Sequence, residues 1–290
     1  MFSGSLVALI TPFENSSIDE LALAKLVRFH LDNGTNGIVP VGTTGEASTL
    51  SRKELKRVID IVVHEVAGQV PVVAGTGSNN TSEAILQTAQ AASLGVDGVL
   101  QVMGYYNRPN QEGIFQHFST LSASTDLPIV VYNVPPRTVI DILPKTMARI
   151  ARLKNIVGVK DATCDLTRPL KEQELIDGDF CYLSGEDQTA VAYNSNGGKG
   201  CISVTANIAP KHCAQLQQAC TNHDYRTALS IQQSLMPLHQ VLFSEPSPAG
   251  AKYAGSLLGH CNSSCRLPII EPTDVTRKSI EDAMCSLGLI

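Results

Sequence analysis

The stretch VGVKDAT, residues 157 to 163, ends an apolar, β-branched run in a lysine, a residue type rarely buried without a partner. If the run is a strand, its side chains alternate, so Ile156, Gly158 and Lys160 share one face and Val157 and Val159 the other. Gly158 then leaves space beneath the lysine. An amine must be neutral to attack a carbonyl, and burial favours the neutral form. A Schiff base is the chemistry such a position supports most readily. The residues alone leave a second reading open, in which Lys160 is a structural cation paired with Glu186 or Asp187 of the segment SGED.

Other polar residues follow comparable apolar runs: GTTGEA (42–47), GYYNRPN (104–110) and YNVPPRT (132–138). In GTTGEA, two hydroxyls and the N–H groups of a Gly-flanked turn can hold a small carboxylate without a formal cation, although the stretch reads equally as a Thr-rich turn. The phenol of Tyr132 can move protons during imine formation, and it can also be a core tyrosine with a satisfied hydroxyl. Competing chemistries are less well served. All seven histidines fall in helical stretches or near the C-terminus, away from strand ends, which disfavours a metal-dependent aldolase. GTGSNN (75–80) lacks the third glycine of a dinucleotide fingerprint, and no P-loop pattern occurs. The eight cysteines form no CxxC; they read as small buried hydrophobes, and His260, Cys261 and Cys265 fall short of a four-ligand zinc set. No metal and no cofactor is expected.

The elements that must carry these groups follow one repeated unit, a short apolar run, a loop and a stretch of helical periodicity. Strand-like runs fall at 6–10, 37–42, 70–76, 98–103, 128–134, 156–161, 180–184 and 200–205. Ser17 to Glu20 and Ser51 to Glu54 both have the S-x-x-E capping-box form, while Gly34 and Gly95 suit helix ends that need positive φ. Eight such units predict an α/β fold of the (β/α)8 TIM-barrel type, in which reacting groups gather at the C-terminal ends of the strands. Residues 1–224 are assigned to the barrel and 225–290 to a packed helical extension, with breaks expected at Pro237, at Pro246 to Pro248 and over 259–272. A net charge of −5 without long single-sign blocks disfavours nucleic acid as a partner. No run approaches the ~20 apolar residues of a membrane span and no signal peptide is visible, so a cytoplasmic location is expected.

GTTGE, YYNRP, YNVPPRT, GVKDAT and ISVTAN, in this order and at these separations, resemble the dihydrodipicolinate synthase (4-hydroxy-tetrahydrodipicolinate synthase) family, and LMPLH and EPSPAGAK extend the similarity into the C-terminal region. The resemblance implies a condensation of pyruvate with L-aspartate 4-semialdehyde, of the class I aldolase type, on the diaminopimelate route to lysine. It implies that Lys160 forms the imine and that Thr43, Tyr132 and Tyr106 relay protons, Tyr106 reaching into the neighbouring subunit of a dimer. Thr44 would hold the pyruvate carboxylate, Arg137 that of the aldehyde partner, Ile202 would contribute its backbone carbonyl near the lysine, and Gly185 would belong to the substrate-binding set. It further implies a homodimer or homotetramer. A feedback site for lysine would use Ser48, Leu50, Arg52, Leu55, Asn79, Glu83 and Tyr105. Arg52 and Leu55 stand where lysine-sensitive members carry histidine, which predicts weak or absent inhibition. The alternatives are another pyruvate-dependent aldolase of the same superfamily and a non-catalytic barrel.

Overall fold

The computed structural model describes residues 2–290. All eight sequence-predicted strands are present, mostly shorter than the apolar runs that announce them: β1 Gly4–Ala8, β2 Gly37–Val39, β3 Val73–Gly75, β4 Gly98–Val102, β5 Ile129–Asn133, β6 Ile156–Asp161, β7 Cys181–Ser184 and β8 Gly200–Ser203. They form one parallel sheet in the order β2-β1-β8-β7-β6-β5-β4-β3. A bridge between Ile38 and Val72, with Ile38 N donating to Pro71 O (2.9 Å) and Gly75 N to Pro40 O (3.0 Å), joins the two ends and closes the barrel. A parallel strand needs a crossover of a dozen or more residues to return, and the helices supply it.

Those helices are α1 Glu20–Asp32, α2 Arg52–Val66, α3 Thr81–Ser93, α4 Gln111–Ala123, α5 Pro144–Ala151, α6 Arg168–Gln173, α7 Ala190–Ser195 and α8 Pro210–Thr221. On α4 the buried Ile114, Phe118 and Leu121 recur at intervals of four and three, the stripe that seats a helix on a sheet. Phe118 is fully buried, and truncating it to alanine would cost about 3–5 kcal/mol. Ser51 caps α2 as the sequence predicts, with Glu54 closing the box. Ser17 does not cap α1. It pairs instead in a two-residue ribbon with Phe13–Glu14, and the carboxylate of Asp19 takes the capping role by accepting from Ala22 N at 2.9 Å. Gly34 and Gly95 have φ of 79° and 81°, as expected of residues that end helices.

Three further helices, α9 Tyr225–Val241, α10 Ala249–Leu257 and α11 Asp274–Ser286, follow the barrel. Pro237 does not break α9. Leu235 and Leu238 are both fully buried, so packing on either side of the proline outweighs the one backbone bond it removes. No helix among the described residues is long and apolar enough to cross a membrane.

The alternation of strand residues splits the core in two. Val131, Val159 and Ile38 face outward into the layer shared with the helices, whereas Leu6, Val39, Leu100, Val130, Tyr132, Leu183 and Ile202 fill the barrel. Tyr132 and Lys160 are register partners on β5 and β6, and Lys160 in turn faces Leu183 on β7. The lysine therefore lies on the inward face, near the C-terminal ends of the strands.

Candidate active site

Lys160 is 6% exposed, and its Nζ lies 4.4 Å from the centroid of the Tyr132 ring. Among the described residues it has no hydrogen bond and no ion pair. The two carboxylates that could have claimed it are committed elsewhere. Asp187 accepts from Ser203 Oγ at 2.5 Å, Val204 N at 2.9 Å and Thr205 N at 3.1 Å, tying down the end of β8. Glu186 accepts from Gln188 N at 3.2 Å, and burial raises its carboxyl above the ordinary value, opposed in part by that hydrogen bond and less by the charge of Lys160. The amine is thus buried and makes no hydrogen bond or ion pair with either carboxylate, which speaks against the structural-cation reading of the sequence.

The glycines around it are there for close approach. A Cβ on Gly158 would sit 2.3 Å from the Cys181 carbonyl oxygen, so the space expected beneath the lysine is filled by the adjoining strand. At Gly185 a Cβ would meet the Asp161 carbonyl at 3.0 Å and Lys160 Cε at 3.2 Å, so only glycine lets the end of β7 lie against the lysine stem.

Over the amine opens a cavity of about 850 Å³, lined among others by Thr43, Thr44, Tyr132, Arg137 and Gly185. The GTTGE turn follows β2. Glu46 N donates to Thr43 O at 3.1 Å and Thr11 Oγ1 to Gly45 O at 2.7 Å, while Val41 and Glu46 take φ of 49° and 56°, a left-handed conformation costly for a β-branched residue. Thr44 is buried and Thr43 exposed toward the cavity. Arg137 sits on the one-turn helix Pro135–Thr138, anchored by Thr138 Oγ1 donating to Ile140 O at 2.9 Å. Two residues of the sequence set stand apart. Ile202 is inside the barrel beside Leu6 but is not part of the cavity wall, and Tyr106 is 93% exposed with φ 69°, outside the cavity of its own chain. No hydrogen bond joins the Tyr132 hydroxyl to Thr43 among the described residues.

Six of the seven residues that the resemblance assigns to a feedback site line the same cavity: Ser48, Leu50, Arg52, Leu55, Glu83 and Tyr105. Asn79 lies just behind, its Nδ2 donating to Tyr105 O at 3.2 Å. Arg52 forms an ion pair with Glu83, which also accepts from Gln87 Nε2 at 3.0 Å.

Three features escaped the sequence reading. Phe243 and Ser247, from the segment between α9 and α10, reach the cavity wall from the C-terminal extension. Glu46, in the GTTGE turn, forms a buried ion pair with Lys252 of α10; a carboxylate in an otherwise uncharged turn, and a lysine among small residues in AGAKYAG, were the available signals. Behind β6, the buried Asp161, Arg168 and Glu172 and the half-buried Asp141 make a charged cluster in which Arg168 pairs with Asp141 at 2.5 Å and lies 3.9 Å from Glu172. Burial, reinforced by the Asp161 charge, pushes the Glu172 carboxyl up to about 8. Of the cysteines, Cys181, Cys201, Cys213 and Cys220 are buried as expected, but Cys164 and Cys285 are exposed. His260 stacks on Phe29 at 4.2 Å and Cys261 Sγ approaches Lys252 O at 3.7 Å, so the two make separate contacts.

Comparison with known proteins bears on this geometry directly. The model of the dihydrodipicolinate synthetase family matches residues 1–286. The 4-hydroxy-tetrahydrodipicolinate synthases of Parvibaculum lavamentivorans and Acidiphilium cryptum are each 52% identical to the chain, with 100% of both chains covered. Among solved structures, the chloride-inhibited dihydrodipicolinate synthase from Acinetobacter baumannii complexed with pyruvate superposes with a TM-score of 0.98 at 40% identity, covering 100% of each chain. A family match over nearly the whole length, relatives at half identity and a shared backbone agree with an unpaired lysine at the mouth of a barrel, and the chain belongs to the dihydrodipicolinate synthetase family.

Proposed function

We propose that Lys160 carries the family's reaction in this chain, the Schiff-base condensation of pyruvate with L-aspartate 4-semialdehyde. The amine attacks C2 of pyruvate, and the carbinolamine loses water to give the imine. Loss of a proton from C3 yields an enamine, whose C3 attacks the aldehyde carbon of the second substrate; the aldehyde oxygen takes up a proton. The substrate's own amine then adds to the imine carbon, closes the ring and releases Lys160. The observation that carries this reading is a buried lysine with no counter-ion facing a cavity that also holds two threonines, a tyrosine and an arginine.

On this reading Thr44 and the N–H groups of its turn bind the pyruvate carboxylate, and Arg137, exposed in the cavity wall, grips the carboxylate of the aldehyde. Tyr132 and Thr43 pass protons, closing to hydrogen-bond distance once substrate is bound. Tyr106 completes the relay of a second copy in a homodimer or homotetramer; a tyrosine ring left almost wholly in solvent by one chain supports that role. Ile202 contributes its backbone carbonyl near the lysine, and residues 225–290 act as an extension of the barrel.

Incubation with pyruvate, reduction with borohydride and intact-mass measurement test the reading. One reduced pyruvyl adduct, located on Lys160 and absent from Lys160→Ala, is expected. An unmodified mass, or an adduct that persists in the variant, rules it out. Turnover of L-aspartate 4-semialdehyde against N-acetylmannosamine and simple aldehydes separates the assignment from a related aldolase.

A further inference from the structure

The turn that carries Thr43 and Thr44 is held from behind by the C-terminal extension. Glu46 is buried, and its carboxylate meets Lys252 Nζ and accepts from Arg266 N at 2.8 Å. Lys252 has no exposed surface; its Nζ also donates to Ser264 O at 2.8 Å and lies 3.9 Å from the centre of the Phe13 ring. Arg266 stacks on the same ring at 4.4 Å and donates to Thr49 O at 2.9 Å, to Ser16 O at 2.7 Å and to Glu54 at the start of α2. Both ends of the segment that follows Thr44 are thereby fixed by residues some two hundred positions away.

That fixation has something to oppose. Glu46 and Val41 hold left-handed backbone conformations, which a free loop would leave, and Glu46 N is the group that donates to Thr43 O. Releasing the Glu46 carboxylate would let the turn relax and carry Thr43 and Thr44 with it. Hydrogen bonds to a small carboxylate tolerate little such movement, because a shift of about 1 Å from a remote change is enough to cost two orders of magnitude.

We propose that Lys252, acting through Glu46, and Arg266, acting through Thr49 and Glu54, are positioning residues for the pyruvate-binding turn: the helical extension sets the affinity for the keto acid without touching it. This rests on the reading above, in which that turn holds the pyruvate carboxylate. The inference is specific to the first substrate, since Arg137 is carried by a different loop, the one-turn helix Pro135–Thr138.

The test uses the full-length chain and three variants. Lys252→Met removes the cation, and Arg266→Met removes the outer contacts while leaving the backbone bond to Glu46. For each, the pyruvate concentration giving half-maximal borohydride-trapped imine is measured alongside KM and kcat for both substrates. Expected are a rise of about tenfold in the pyruvate value for Lys252→Met and about threefold for Arg266→Met, with the KM for the aldehyde within about twofold of the parent; kcat falls as well, because Thr43 moves with the turn. Should Lys252→Met fail to fold, Arg266→Met decides, its side chain being partly exposed. An unchanged pyruvate value in a folded variant overturns the proposal, as does a parallel change in both substrates' constants. The third variant, Thr44→Val, separates this from the underlying reading: a parent that traps no imine, or a Thr44→Val that binds pyruvate normally, refutes the cradle itself rather than the clamp.

Discussion

Two lysines in this molecule are buried to nearly the same degree and have different fates. Lys160 is 6% exposed and Lys252 not exposed at all, and each ammonium position lies over an aromatic ring, at 4.4 Å from Tyr132 and 3.9 Å from Phe13. Lys252 has Glu46 and a backbone carbonyl as partners; Lys160 has neither an anion nor a hydrogen bond among the described residues. Burial alone therefore does not make a nucleophile. On the proposed reading, what separates a reactive lysine from a rivet is whether the surrounding fold supplies a direct partner, and at Lys160 Asp187 is committed to β8 and Glu186 to its own loop.

Replacing each lysine in turn by methionine is the sharpest way to break that comparison. Lys160→Met is expected to lower turnover by about three orders of magnitude or more, with no adduct by mass, since the group that forms the covalent bond is gone. The same change is expected to raise stability by about 1 kcal/mol, because an unpartnered polar group leaves the interior. Lys252→Met is expected to act in the opposite direction on stability. Removing one partner leaves the buried Glu46 carboxylate uncompensated and costs about 3 kcal/mol, seen as a lower denaturant midpoint. A loss of stability in both variants would show that the two lysines do not differ in the manner described.

Arg137→Ala sharpens the comparison from the substrate side. Loss of one charged grip on a carboxylate is expected to raise the KM for the aldehyde by about 10- to 100-fold and to leave imine trapping with pyruvate intact. A further outcome concerns the cluster behind β6. Glu172 is held near pH 8, so the folded chain binds its proton more tightly than the unfolded chain does. Its contribution is full below the ordinary carboxylate value and is lost as pH rises through about 8. Melting temperatures at pH 6 and pH 8.5 should show this decline, and Glu172→Gln should flatten it. The smallest effect expected is that of free lysine on initial rate. With Arg52 paired to Glu83, the place the resemblance gives to a lysine effector already contains a cation, so excess lysine should change the rate by less than about twofold. Strong inhibition would show that Arg52 yields its place.

Some of this was legible from residues alone, and the reasons differ by element. The eight strands were, because a strand buried on both faces must be a run of apolar, β-branched residues and such runs are easily seen. The cap of α2 was legible for the same local reason; that of α1 was not, because the ribbon between Phe13–Glu14 and Ser17–Ile18 draws Ser17 away from the helix. Pro237 misled because its neighbours' burial, not its own chemistry, decides whether the helix continues.

At the site the division is similar. Which strand end bears the lysine, the tyrosine, the arginine and the paired threonines is written in the order of the chain, since alternation along a strand and the direction of a parallel barrel send those groups to one mouth. That Lys160 stays unpaired, that Glu46 reaches across to Lys252 and that Arg52, Glu83 and Tyr105 line the same cavity are products of tertiary structure. Each depends on which of several competing charges lies within a few ångströms in space, and separation along the chain carries no information about that distance.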